Sequence, residues 1–171
     1  MENVFSVVEF TLDSAISMAI PLLLAAIGEI FVQRSGCINM GIEGMMLMGA
    51  FIGIVGSIFY GRAVGFVLCI FAGAVFGLFV AFMCVTIKAS QPIVGVVLNL
   101  FATGATSFFY RYLLGLTSDI PSVQQLSKIS IPLLSEIPVI GCLFEQNVLS
   151  YFAFILVPVS YTHLRAHETK A

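Results

Sequence analysis

The polar residues best placed to do chemistry lie in one stretch, GEIFVQRSGCINMGIEGMMLMGA, over residues 28–50. This stretch places Glu29, Arg34, Asn39 and Glu43 between two strongly apolar runs. Ionisable groups are costly at membrane depth unless they are paired or face a polar cavity. We therefore predict that these side chains lie near a pathway for a solute.

Glycines interrupt the same stretch and the apolar run that follows it. Because glycine lets a backbone bend or approach a neighbour closely, we expect a structural role for these positions. They are Gly36, Gly41, Gly44, Gly49 and Gly53, of which the last two have a GxxxG spacing. The pattern predicts a broken or re-entrant segment that is buried in protein.

A second polar set lies in a later apolar run and consists of Asn99, Thr103, Thr106 and Ser107. The spacing i, i+4, i+7, i+8 puts these side chains on one face of a helix. Two interpretations stay open. The side chains either hydrogen-bond a neighbouring helix or line the path of a solute.

The sequence favours no catalytic or metal chemistry. It contains no GxxxxGK[ST] phosphate-binding loop, no nucleophile beside a base, and four cysteines without ligand spacing. His163 and His167 have the i, i+4 spacing of a metal pair but fall in an anomalous tail. We expect no metal, no cofactor, no enzymatic activity and, given a net charge of −2, no binding to nucleic acid.

The composition indicates an integral membrane protein, with 60% hydrophobic and 9% charged residues and a mean hydropathy of +1.09. We predict an all-α fold, a polytopic transmembrane helical bundle with broken or re-entrant helices. Residues 1–9 read as an interfacial lead-in, and residues 117–147 as an extramembrane loop with short helical pieces. The predicted spans are about 14–33, 41–60, 63–87, 93–116 and a truncated one from 148.

Three stretches carry a resemblance to a known family: GCINMGIEGMMLMGA (36–50), VVLNLFATGATSFFYR (96–111) and IPLLSEIPVIG (131–141). They resemble permease subunits of bacterial ABC importers, in particular the nucleoside and simple-sugar group related to the branched-chain amino-acid permeases. The resemblance implies a multi-pass subunit of the cytoplasmic (inner) membrane. It also implies three kinds of partner: ATP-binding subunits, a second permease subunit and an extracytoplasmic solute-binding lipoprotein.

The resemblance also bears on how the chain is divided. Residues 1–158 are expected to form part of a transmembrane permease domain, since members of that family have well over five spans. Residues 159–169 read VSYTHLRAHET, which matches the conceptual translation of a sequencing adapter. We therefore expect residues 159–171 to be an artefactual tail. On the resemblance alone, residues 88–92 face the cytoplasm and the proline-rich loop faces outwards.

The resemblance implies transport of nucleosides or simple sugars driven by ATP hydrolysis on partner subunits. On this hypothesis the path residues are Asn39, Asn99, Thr103, Glu29 and Glu43, with the two asparagines as the best candidates for solute contact. An alternative role for the glutamates is to pair with Arg34 and hold the broken segment together. A secondary transporter or channel without an ATPase is the alternative function, because broken polar helices occur in those proteins too.

Overall fold

The structure is a computed structural model that describes residues 2–115, 128–130 and 145–168. Four of its helices are long and apolar enough to cross a membrane. The predicted all-α fold class, a polytopic bundle of membrane helices, is confirmed, and the chain is a multi-pass membrane protein. The helices are α1 (Glu2–Arg34), α2 (Ile42–Tyr60), α3 (Arg62–Ala81, continued by a π-helical turn over Phe82–Thr86), α4 (Gln91–Leu114) and α5 (Val148–Glu168).

Helix α1 is longer than the span predicted at residues 14–33. It begins at Glu2, so that the residues expected to form an interfacial lead-in belong to the same helix. Neither glycine nor proline precedes Pro21 in the sequence, and the Thr11 hydroxyl donates to the Val7 carbonyl oxygen at 2.7 Å inside the helix. Nothing in that part of the chain favours a break.

Two short strands lie in the described parts of the loop predicted at residues 117–147. Strands β1 (Lys128–Ser130) and β2 (Glu145–Asn147) pair antiparallel, with Ile129 opposite Gln146. The other residues predicted for this loop, 117–127 and 131–144, lie outside the described ranges, so the short helical pieces expected there stay a prediction.

The chain divides into two compact units, residues 1–28 with 125–171 and residues 29–124. In the first unit, Asp13 of α1 contacts both strands. Its Oδ2 atom lies 2.7 Å from Lys128 Nζ, and its Oδ1 atom accepts a hydrogen bond of 2.9 Å from Gln146 Nε2. The Gln146 side chain is 1% exposed, and the Tyr151 hydroxyl donates to the Ile129 carbonyl oxygen at 3.0 Å.

In the same unit, α5 contains Pro158 and continues without a break across residue 159 to Glu168. Its apolar described part runs over Val148–His163, which is shorter than the four long helices. The assignment of residues 159–171 as an artefactual tail stays a prediction.

The second unit is organised around α2, which packs against both α3 and α4. On the α3 side, a Cβ placed on Gly53 would lie 3.1 Å from Cys69 Cβ, and one placed on Gly56 would lie 3.0 Å from Gly65 Cα. Helix backbones approach this closely only where the side chains are absent or very small. The glycines of α2 therefore set the distance between α2 and α3.

The connection between α3 and α4 is short and irregular. It follows the π-helical turn and contains Lys88, whose φ of 59° lies in the left-handed region. Helix α4 then begins at Gln91, with Pro92 in its first turn, where a missing backbone amide is tolerated.

Candidate functional site

The break predicted within residues 28–50 is the connection between α1 and α2, residues 35–41. Helix α1 ends at Arg34, and the amides of Ser35 and Gly36 donate to the carbonyl oxygens of Val32 and Gln33, both at 3.0 Å. Gly36 has a φ of +84°, the left-handed conformation that commonly ends a helix and that glycine adopts without strain. The chain can therefore leave α1 sharply at this point.

Glu29 and Asn39 hold the connection against the end of α1. The Asn39 backbone amide donates to Glu29 Oε1 at 3.0 Å, and Gln33 Nε2 donates to the same oxygen at 3.3 Å. The Asn39 side chain makes two further bonds. Its Oδ1 atom accepts from the Gly41 amide at 3.0 Å, and its Nδ2 atom donates to Met45 Sδ at 3.2 Å. This i to i+2 bond is typical of an asparagine that stabilises a turn.

Asn99 of α4 holds the connection from the other side. Its Oδ1 atom accepts a hydrogen bond of 2.8 Å from the Gly44 amide, and its Nδ2 atom donates to the Met40 carbonyl oxygen at 3.1 Å. One side chain thus satisfies a donor inside the first turn of α2 and an acceptor just before that helix begins. The bonds join residues 55 and 59 positions apart in the sequence.

The first turn of α2 needs such a partner, because the first four amides of a helix have no intrahelical acceptor. A serine, threonine, aspartate or asparagine before the helix commonly accepts from one of them. The corresponding residue here is Gly41, which has no side chain to do so. Asn99 therefore caps α2 from a different helix.

Two glycines, Gly41 just before α2 and Gly44 in its first turn, allow this arrangement. A Cβ placed on Gly44 would lie 2.8 Å from Asn99 Oδ1 and 3.0 Å from Asn99 Cα, and one placed on Gly41 would lie 2.8 Å from Leu98 Cδ2. The facing residue of α4 is Gly95, where a Cβ would lie 2.6 Å from the Met40 backbone carbon. Small residues on both sides bring α4 close enough for the Asn99 side chain to reach the α2 backbone.

The place where the end of α1, the start of α2 and α4 meet is called the α1–α2–α4 junction below. The other predicted path residues lie near it but are less constrained than Asn39 and Asn99. Glu43 is exposed in the first turn of α2, where a carboxylate favours the positive end of the helix dipole. Thr103 is exposed one turn beyond Asn99, and its hydroxyl donates to the Asn99 carbonyl oxygen at 2.8 Å. Thr106 is buried and donates to the Ala102 carbonyl oxygen at 2.7 Å, within its own helix.

The structure thus brings Glu29 together with Asn39 by a direct hydrogen bond, and Asn99 together with the start of α2. Contact of any of these residues with a solute stays a prediction. The second carboxylate oxygen of Glu29, Oε2, is buried without a hydrogen-bond partner among the described residues. Arg34 is exposed in the last turn of α1, and its pairing with a glutamate also stays a prediction.

The sequence analysis did not identify two polar residues, Gln91 and Asp13, whose side chains connect separate parts of the chain. Gln91 Oε1 accepts a hydrogen bond of 2.8 Å from the Ile38 amide, which gives the connection a second anchor on α4. Asp13 holds the strands of the other unit. A carboxylate at the start of an apolar run was a usable signal for Asp13, because such a group needs a partner.

The polar groups where α1, α2 and α4 meet are suited to forming hydrogen bonds. Among the described residues, no group of three His, Cys, Asp or Glu side chains is arranged to hold a metal ion. The junction instead presents amide and hydroxyl groups beside one exposed carboxylate, Glu43. Groups of this kind form hydrogen bonds with neutral polar molecules without a strong preference for charge.

Comparison with known proteins identifies the family. Residues 11–170 match the model of the branched-chain amino acid transport system / permease component family. The guanosine ABC transporter permease protein NupQ of Bacillus subtilis is 32% identical, over 90% of this chain and 50% of its own length. The putative glucose ABC transporter permease protein TsgC13 of Haloferax volcanii is 34% identical, over 90% and 47%.

A further relative, the nucleoside ABC transporter permease protein NupC of Lactococcus lactis, is 31% identical over 92% of this chain and 52% of its own length. The chain therefore spans about half the length of the curated relatives it matches. No solved structure matches the chain.

Proposed function

Because the chain belongs to the family of permease components of branched-chain amino acid transport systems, we propose that it acts in an ABC importer for nucleosides or simple sugars. The observation that carries the proposal is the match over residues 11–170, together with the named roles of its relatives. Those names specify guanosine, glucose and nucleosides, all of which are neutral molecules rich in hydroxyl groups.

The chemistry of the α1–α2–α4 junction supports a solute of this kind. Its polar groups are mostly amides and hydroxyls, which match the donors and acceptors of a ribose or hexose ring. Asn99 uses one lone pair of Oδ1 and one hydrogen of Nδ2 in the bonds to α2, which leaves one of each available. It therefore both positions α2 and offers hydrogen bonds to a solute.

The path residues of the proposal divide into two groups. Asn39, Asn99 and Glu29 hold the connection in place through hydrogen bonds to its backbone. Thr103 and Glu43 are exposed beside that connection and meet the solute together with the hydrogen-bonding groups that Asn99 has left over. Single hydrogen bonds from amide and hydroxyl groups hold a neutral solute only weakly, so a path of this composition releases it readily.

The proposed assembly supplies what the chain itself lacks. ATP is bound and hydrolysed by partner subunits, since the sequence has no GxxxxGK[ST] loop. A second permease subunit completes the pathway, and an extracytoplasmic solute-binding lipoprotein delivers the solute. The assembly sits in the cytoplasmic membrane, and nucleotide binding in the ATP-binding subunits drives alternating access.

The test of the proposal is uptake into vesicles that contain the permease with its ATP-binding subunits and binding protein. We expect uptake of labelled guanosine or glucose that requires ATP and all components. Uptake that the purified chain supports by itself, without ATP, would instead establish the secondary transporter or channel. The absence of uptake for every nucleoside and sugar tested, with an assembled and ATP-hydrolysing complex, would refute the proposed substrate class.

Variants of the assembled permease separate positioning from solute contact. Thr103→Val and Glu43→Gln leave the bonds of the junction intact, so we expect them to change the concentration dependence of uptake while complex assembly stays normal. Thr11→Val provides the matched control, because this exposed hydroxyl also bonds only its own helix and lies in the other unit. Unchanged uptake kinetics in both path variants would exclude these residues from the path.

A further inference from the structure

A groove of about 450 Å³ lies between the middle of α2 and the second half of α4. Its wall on α2 is apolar and includes Leu47, Phe51 and Ile54. Its wall on α4 is polar and includes Ser107, Tyr110 and Arg111. The groove is therefore amphipathic, with a cation on one side and hydrocarbon on the other.

Helices α2 and α4 run in the same direction, and the contacts between them show where along the two helices the groove lies. Gly44 meets Asn99 near the beginning of the two helices, and Ile54 and Arg111 line one groove nearer their ends. Tyr60 and Tyr112, which are 73% and 75% exposed, lie towards the same end. Since tyrosines concentrate where hydrocarbon meets lipid headgroups, the polar end of the groove lies at headgroup level.

Arg111 carries a positive charge at this level, and no carboxylate among the described residues forms an ion pair with it. Its side chain is exposed and reaches the groove from the last turn of α4. A guanidinium presents paired N–H donors whose geometry matches two oxygens of a phosphate group. An anion available to such a guanidinium at that depth of a membrane is a lipid phosphate.

We propose that the groove is a binding site for an anionic phospholipid. Arg111 and the Tyr110 hydroxyl bind the headgroup phosphate, and an acyl chain lies along Leu47, Phe51 and Ile54. A cationic side chain at headgroup level attracts a headgroup with a net negative charge more strongly than a zwitterionic one. The site does not depend on the proposed transport function, and nothing in it requires a particular solute.

The absence of tryptophan from the sequence makes the site directly measurable. Ile54→Trp places a single fluorophore at the groove, where the native side chain is 46% exposed. Val67→Trp on α3 is the matched control, because Val67 is 63% exposed and does not line the groove. It lies at a similar depth, since Gly65 packs against Gly56 and Cys69 against Gly53.

The experiment compares quenching by brominated phosphatidylglycerol and brominated phosphatidylcholine, each diluted equally into vesicles that contain the full chain. We expect the Ile54→Trp protein to show an about fivefold higher affinity for phosphatidylglycerol, the factor that corresponds to about 1 kcal/mol for one basic residue. The preference should fall as salt is raised. The Val67→Trp protein should show none.

Arg111 variants of the reporter protein complete the test. Arg111→Gln should abolish the preference, whereas Arg111→Lys should retain most of it because the charge remains. Equal quenching by the two lipids in the Ile54→Trp protein would overturn the proposal. So would quenching that occurs at Val67→Trp but with neither lipid at Ile54→Trp, which would show that another protein segment fills the groove.

Discussion

The Oδ1 atom of Asn99 accepts a hydrogen bond of 2.8 Å from the backbone amide of Gly44. This bond connects the first half of α4 to the first turn of α2. The same side chain donates to Met40 on the other side of the helix start. The position of α4 and the beginning of α2 are therefore coupled, and a change in one requires a change in the other.

Replacing Asn99 with alanine should destabilise the chain by about 1–3 kcal/mol. The reason is that the Gly44 amide and the Met40 carbonyl oxygen lose their hydrogen-bond partner. Unfolding of the purified chain by denaturant measures the loss. Hydrogen exchange should show faster exchange of the Gly44 amide. Thr103→Val is the control on the same helix, since its hydroxyl bonds only the Asn99 carbonyl oxygen of its own helix. Equal stability of the two variants would contradict the capping role.

Replacing Gly44 with alanine should separate α2 from α4. The added Cβ would lie 2.8 Å from Asn99 Oδ1 and 3.0 Å from Asn99 Cα, closer than such contacts allow. We expect a loss of about 1–3 kcal/mol in unfolding free energy. Gly104→Ala on α4 is the comparison, because nothing lies within 4 Å of a Cβ there. It should be neutral or stabilising by up to about 1 kcal/mol.

Replacing Lys88 with glycine should stabilise the link between α3 and α4. Lys88 has a φ of 59°, a conformation that costs a residue with a Cβ about 1–2 kcal/mol. Part of this gain is offset by the greater freedom of glycine in the unfolded chain, so we expect a net gain below about 1 kcal/mol. Lys88→Ala, which retains the strain, should show no gain. Thermal unfolding of the two variants measures the difference. An equal Tm for Lys88→Ala and Lys88→Gly would contradict the prediction.

The Asp13 cluster should depend more on Gln146 than on Lys128. The Lys128 side chain is 46% exposed and that of Asp13 is 27% exposed, so a double-mutant cycle on this pair should give about 0–1 kcal/mol and diminish in high salt. Gln146 is buried and bonded to Asp13 Oδ1. Gln146→Ala should cost about 1–3 kcal/mol. A larger cost for Lys128→Met would contradict this order.

Much of the fold could be predicted because membrane helices can be recognised as long apolar runs in the sequence. The apolar runs around residues 63–87 and 93–116 correspond to α3 with its π-helical turn and to α4, within a few residues. The polarity of residues 1–9 favours an interfacial lead-in, whereas α1 already begins at Glu2. The strands of residues 128–130 and 145–147 were missed because a pair of three-residue strands has no periodicity to detect.

The candidate site was predicted in part. The stretch around Asn39 was recognised as broken, since glycines and charged residues are unusual within an apolar run. The role of Gln91 was not predicted, because nothing in its neighbourhood indicates that it reaches back to Ile38, 53 positions earlier. From sequence, the polar face of α4 could either contact a neighbouring helix or line a solute path. The Thr106 hydroxyl instead donates to a carbonyl oxygen of its own helix.

The sequence by itself determined the membrane class, the number of long apolar helices, the break between α1 and α2 and the resemblance to transporter permeases. These follow from composition and local spacing, which act on neighbouring residues along the chain. Only the tertiary structure decided that Asn99 caps α2 and that Glu29 binds the Asn39 amide. A helical face can be read from spacing, but the partner of that face depends on how closely the glycines let two helices approach.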